Sequence, residues 1–306
     1  MWRWAVLAYE RSMTKHSSVA LTESASWRVV TAPHDVVGEG PVYIADENAI
    51  YWVDVSAGKL RRFALDTHLV DEWFVGEAIG FAVPRATGGL ILGLVSGLHL
   101  FEPAFPLMAP RIIWRNTEPY HRLNDGAVDR DGRLWFGVMH CNGDQPSGRL
   151  MCFDNGNVHI ADSGYCVPNG PVFSADGSIM FHADSRRGEI YSFAVSHTGE
   201  LSNRRIHIKF APEVGVPDGM TLDEEGCLWV AHWGGGCVSC FDQDGTLKRR
   251  IDLPVSLVTN CVFAGPNLSR MFITTAGAGS GEDELAGALF EVDPGVRGLM
   301  QAVMFR

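Results

Sequence analysis

Five short phrases in this chain of 306 residues place an oxygen-bearing side chain directly ahead of a small residue. They are Glu39-Gly40-Pro41, Asn124-Asp125-Gly126, Asn169-Gly170-Pro171, Pro217-Asp218-Gly219 and Thr259-Asn260-Cys261. A sixth, Ile79-Gly80-Phe81, keeps the pattern but offers an apolar side chain. Carboxylates and carboxamides gathered in one place are the donor set of a hard divalent cation such as calcium, magnesium or manganese. Buried together without one, they would be costly. Asn and Asp are also common turn formers at strand starts. Turn chemistry accounts poorly for Glu39, however, and it does not predict the same register five times. The following glycine suits a place where backbone approaches closely or takes an unusual φ.

Something must bring these phrases together, and the chain between them is repetitive. Aligned on Gly40, Gly80, Gly126, Gly170, Gly219 and Cys261, the spacings are 40, 46, 44, 49 and 42 residues. Each interval holds about four short β-type runs separated by turn residues. In the first unit these are Glu39–Tyr43, Ile50–Asp54, Lys59–Phe63 and Glu72–Val75. Six such units with no convincing amphipathic helix predict an all-β, six-bladed β-propeller with four-stranded blades. A two-sheet sandwich would leave the register of the repeat unexplained. The first strand of each propeller blade lines the central channel, so Glu39, Ile79, Asp125, Asn169, Asp218 and Asn260 converge near one mouth. Residues 27–306 read as this one domain, and residues 1–26, which lack the repeat, as an N-terminal extension or a start upstream of the true one, with Met13 an alternative start. Ring closure needs an added outer strand in the last blade. Trp27–Val30 fits that place, and the tail Leu299–Phe305 is a second candidate.

Taken in order, the phrases resemble the gluconolactonase and regucalcin (senescence marker protein) family. The resemblance is carried by Glu39-Gly40-Pro41, Arg122-Leu123-Asn124-Asp125-Gly126, Asn169-Gly170-Pro171 and Pro217-Asp218-Gly219-Met220. Trp52-Val53-Asp54, Leu228-Trp229-Val230-Ala231 and Thr259-Asn260-Cys261-Val262-Phe263 extend it, so that it spans roughly residues 38–292. It implies one divalent metal ion in the channel (calcium, zinc, manganese or magnesium) and hydrolysis of a sugar lactone to the aldonic acid. By position, Glu39, Asn169 and Asp218 match the family's metal ligands, and Asp218 its general base. Arg122 and Asn124 match substrate contacts. Some members carry a carboxylate a few residues past the Gly-x-Met of the third blade. Here Phe136-Gly137-Val138-Met139-His140-Cys141-Asn142 offers Asn142, with His140 beside it, as the substrate contact. A related hydrolase acting on phosphotriesters or other lactones, and a non-catalytic calcium-binding propeller, are the alternatives on the same scaffold.

Bulk properties narrow the remaining choices. A formal net charge of −11 and a pI near 5.4 argue against a nucleic-acid or anionic-membrane surface. No run approaches the roughly 18 apolar residues of a membrane span, and the apolar start ends at Glu10-Arg11, too short for a signal peptide. Seven cysteines, an odd number lying mostly in strands, suit a reducing compartment, and the expected location is cytoplasmic. Cys237-Val238-Ser239-Cys240 has C-x-x-C spacing, but on a strand those two side chains point to opposite faces. No Gly-x-Ser-x-Gly elbow is present, and Trp233-Gly234-Gly235-Gly236 reads as a hairpin turn, with no Lys-Ser/Thr to make it a phosphate loop. His121, His182 and His232 read as rim or structural residues, and Asp54 and Asp184 as loop-capping carboxylates.

Overall fold

In the computed structural model, residues 26–32, 34–277 and 283–304 are described; the extension read from residues 1–25 lies outside them. Among the described residues, twenty-four strands form six antiparallel sheets of four. The inner strands are Gly38–Ile44, Ile79–Pro84, His121–Val128, Pro168–Phe173, Val216–Leu222 and Val258–Ala264, and they begin blades 1 to 6 in chain order. Three short 3-10 turns, at Ala45–Glu47, Ser185–Arg187 and Pro212–Val214, are the only helical segments among the described residues. No helix there is long and apolar enough to cross a membrane.

The propeller follows from the alternation within each strand. One set of side chains packs toward the preceding blade and the other toward the next, so both faces of every inner sheet are apolar. Trp229, Cys240, Cys261, Phe263 and Phe290 fill the space between blades 5 and 6. Phe81, Val83, Leu123, Leu134 and Phe136 do so between blades 2 and 3. The buried tryptophans need an acceptor for their indole N–H. Trp52, Trp135 and Trp229 donate to Asp35, Asp129 and Asp223 at 2.7, 2.8 and 2.8 Å.

The expected outer strand is present: Trp27–Val29 pairs antiparallel with Phe290–Val292 and completes blade 6. The tail goes elsewhere. Leu299 N–H donates to the Leu222 carbonyl of blade 5, and Tyr43 N–H of blade 1 donates to the Gln301 side chain. Met304 then exchanges backbone hydrogen bonds with Pro84 and Ala86 of blade 2. Blades 5 and 2 lie opposite each other in a ring of six, so the tail crosses the channel axis. It does so at the ends of the inner strands farthest from Glu39, and Phe305 lies outside the described residues.

Candidate metal and substrate site in the channel

Each inner strand breaks register with its neighbour at the same place. The interruptions fall between Glu39 and Val42, Ile79 and Phe81, Leu123 and Gly126, Asn169 and Val172, Pro217 and Met220, and Val258 and Asn260. A bulge kinks the strand and re-aims one side chain. Six bulges in one layer turn Glu39, Ile79, Asp125, Asn169, Asp218 and Asn260 toward the axis. Gly40 and Gly170 take the left-handed conformation that this requires, with φ of 54° and 81°. Gly219 serves differently, because a Cβ there would overlap the Asn260 amide.

The oxygens of this layer are individually accounted for. Glu39 Oε2 accepts from Gly40 N–H at 2.6 Å and from Asn260 Nδ2 at 2.9 Å. Its Oε1 has no hydrogen-bond partner among the described residues. Asn260 Oδ1 is taken by Cys261 N–H at 2.8 Å, so Asn260 holds Glu39 in place. Asp125 accepts Gly126 N–H at 2.7 Å and Gly170 N–H at 2.9 Å, one on each oxygen, and so fastens blade 3 to blade 4. Asn124 donates its amide to the Pro168 carbonyl at 2.8 Å and to Asn169 Oδ1 at 2.7 Å. Asn169 Nδ2 in turn donates to Ser185 Oγ at 2.7 Å. A carbonyl only accepts, so this chain fixes both amides by elimination. It leaves Asn124 Oδ1 open and one lone pair on Asn169 Oδ1. Asp218, 6% exposed, has no hydrogen bond among the described residues.

The electrostatics match that geometry. Burial, then the charge of Asp125, push Asp218 well above the usual carboxylate range against the pull of Arg122. Burial, Asp218 and Asp125 do the same to Glu39, and burial raises Asp125 to about 6. Arg122 is buried at the same layer and donates to the Leu123 carbonyl at 3.1 Å. Burial lowers its pKa, opposed by Cys141, Glu39 and Asp218. Two carboxylates, Glu39 and Asp218, thus face one guanidinium, with oxygen atoms still open on Glu39, Asn124, Asn169 and Asp218. That donor set fits one hard divalent cation. Below it a cavity of about 250 Å3 runs between the inner strands to tail residues 299–302.

The rim above Arg122 belongs to blade 3. His140 ends the second strand directly opposite His121, their rings edge to face at 5.5 Å. His121 reaches Ser147 Oγ at 2.9 Å, and His140 Nδ1 lies 3.4 Å from Asp144. Asn142 is exposed in the turn that follows. Cys141, half-buried between them, lies close enough to Arg122 for each to shift the other's pKa. Its place beside Arg122 was missed in the sequence because it reads there as a core strand residue. Asp54 and Asp184 cap loops as expected: Asp54 accepts Val36 and Val37 N–H, and Asp184 accepts Cys166 and Val167 N–H. His182 and His232 are core residues held neutral by burial, with pKa values pushed down to about 3 and 4.

Comparison with known proteins agrees with this architecture. Residues 37–277 match the SMP-30/Gluconolactonase/LRE-like region family model. A pentonolactonase of Haloferax volcanii is 34% identical over 274 residues, covering 86% of this chain and 92% of that protein. A 6-deoxy-6-sulfogluconolactonase of Pseudomonas putida is 32% identical over 261 residues, covering 84% and 89%. The crystal structure of a calcium-binding protein, regucalcin, from Agrobacterium tumefaciens superposes with a TM-score of 0.86 at 23% identity, over 92% of this chain and 98% of that one. With most of its length matched by the family model and by relatives of this similarity, the chain belongs to the SMP-30/gluconolactonase/LRE-like family.

Proposed function

We propose that this chain hydrolyses a sugar lactone to the corresponding aldonic acid, with a divalent cation held by Glu39, Asn169 and Asp218. The observation that carries the reading is the buried, hydrogen-bond-free carboxylate of Asp218, set among open oxygens of Glu39, Asn169 and Asn124 and beside Arg122. Relatives named pentonolactonase and 6-deoxy-6-sulfogluconolactonase support the substrate class, and a calcium-binding neighbour supports the cation. When bound, the cation supplies polarisation of the lactone carbonyl oxygen and offsets the repulsion among the carboxylates. Asp218, ionised in that field, accepts a proton from the attacking water. Water oxygen bonds to the carbonyl carbon and the bond from that carbon to the ring oxygen breaks. The proton on Asp218 passes to the ring oxygen as it leaves, so one lactone and one water give one hydroxy acid. Arg122 presents fixed N–H donors to sugar hydroxyls and to the carboxylate that forms. Asn124 contributes its open oxygen, Ile79 an apolar wall for the C–H face of the ring, and His140 and Asn142 the rim.

The test is acid release from a panel of aldonolactones, measured against spontaneous hydrolysis. Metal-stripped protein is compared with protein given calcium, manganese, zinc or magnesium. The expected result is turnover that requires a metal and falls by about 10²–10⁴-fold in Asp218→Asn. No rate above background with any metal would reject the lactonase reading in favour of a binding propeller. A stronger rate on an organophosphate would move it to the related hydrolases.

A further inference from the structure

Three buried tryptophans share one acceptor arrangement, and one of the three is incomplete. In blade 1, Asp35 accepts the Trp52 indole and forms an ion pair with Arg61 at 2.9 Å. In blade 3, Asp129 accepts the Trp135 indole, and Arg133 lies at 2.6 Å from the same oxygen. Blade 5 repeats the turn of blade 3 closely. Asp223 Oδ1 accepts Glu225 and Cys227 N–H at 3.0 and 2.8 Å, as Asp129 Oδ1 accepts Asp131 and Arg133 N–H at 3.0 Å each. The residue four positions after the aspartate is now Cys227 instead of an arginine. Asp223 is only 1% exposed and has no ion pair among the described residues.

The space of the missing guanidinium is edged by sulfur. Cys240 faces Trp229 across the sheet, as Cys152 faces Trp135 in blade 3, and its thiol points to the same side as that of Cys227. A carboxylate oxygen of Asp223 and the Sγ atoms of Cys227 and Cys240 all lie within 4.8 Å of one another. Both cysteines are free thiols, Cys240 buried and Cys227 half-buried, which leaves a way in from solvent. Arg249, opposite Cys240 in the outer strand, uses a guanidinium N–H on the Pro294 carbonyl at 2.8 Å.

We infer that Asp223, Cys227 and Cys240 form a second metal site, which takes a thiophilic divalent ion such as zinc in the position that Arg133 occupies in blade 3. Thiolate and carboxylate are both zinc ligands, three protein ligands leave a fourth tetrahedral place for water, and sulfur atoms at about 2.3 Å from the metal then stand about 3.8 Å apart. Binding displaces one proton from each thiol, and the two protons leave to solvent. This site is chemically unlike the all-oxygen channel site and is independent of the lactonase reading.

The probe is cadmium added to the metal-stripped full chain, because sulfur-to-cadmium charge-transfer absorption reports thiolate ligands alone. The band should saturate at one equivalent in the unmodified chain. It should disappear in Cys227→Ala and persist in Asp218→Asn, whose channel site is impaired. Cys227→Arg, which copies blade 3, should lose the band and melt at a higher temperature without metal. Absence of the band, its survival in Cys227→Ala, or its loss in Asp218→Asn would each overturn the assignment.

Discussion

Gly219→Ala is the most informative single change in the channel. The added methyl group overlaps the Asn260 amide, so Asn260 must leave its position. Two hydrogen bonds go with it, one to the Glu39 carboxylate at 2.9 Å and one from Cys261 N–H at 2.8 Å. A charge-assisted bond contributes about 1.5–3 kcal/mol and a neutral one about 1 kcal/mol. Glu39, held then only by Gly40 N–H, loses the orientation that keeps Oε1 open to a ligand. Loss of such an orienting partner typically lowers metal affinity by about 10–100-fold. Calcium or manganese titration calorimetry on stripped protein measures the affinity, and urea unfolding measures the stability. The decisive form is a double-mutant cycle. Asn260→Ala removes the same bonds without overlap, so Gly219→Ala in that background should add little. Wild-type metal affinity in Gly219→Ala, or full additivity in the cycle, would refute the chain of support from Gly219 through Asn260 to Glu39.

Two further outcomes follow from the same structure. Glu39, Asp125 and Asp218 all have raised carboxylate pKa values, Asp125 reaching about 6, so the metal-free channel keeps protons to higher pH than ordinary carboxylates do, and a cation must displace them. Metal affinity should therefore rise with pH through about 6, up to about tenfold per pH unit for each proton released; calorimetry in buffers of different ionisation enthalpy counts those protons, and a pH-independent affinity would contradict the shifts. Met304, 2% exposed and packed in the core between blades 2 and 3, anchors the tail. Met304→Ala should cost about 2–4 kcal/mol in urea unfolding, and a loss below about 1 kcal/mol would mean that the tail is only loosely seated.

The sequence disclosed the blades because their runs of apolar residues and turn residues recur at a steady interval. Trp27–Val29 was legible as the closing strand because it reads as a strand and a ring of six needs one more. The tail was not, since its hold on the ring is scattered, one backbone bond at Leu299, the Gln301 side chain, and two backbone bonds and the buried side chain at Met304, with no period to detect. At the site, the six converging positions were visible as a register, but their division of labour was not. Only the hydrogen bonds separate Asp125, with both oxygens on backbone N–H groups, from Asp218, with neither oxygen bound. The bulges that aim these side chains depend on pairing between strands, which one strand's sequence does not encode.

The tail that spans the axis makes the two ends of the propeller's bore unequal. A molecule that enters past His121 and His140 meets the ring of oxygens and then the floor formed by Leu299, Met300 and Gln301. On the proposed reaction, a product that leaves by the mouth it entered holds the ring until it is gone, so product and substrate would exclude each other and accumulated product would compete at the entrance.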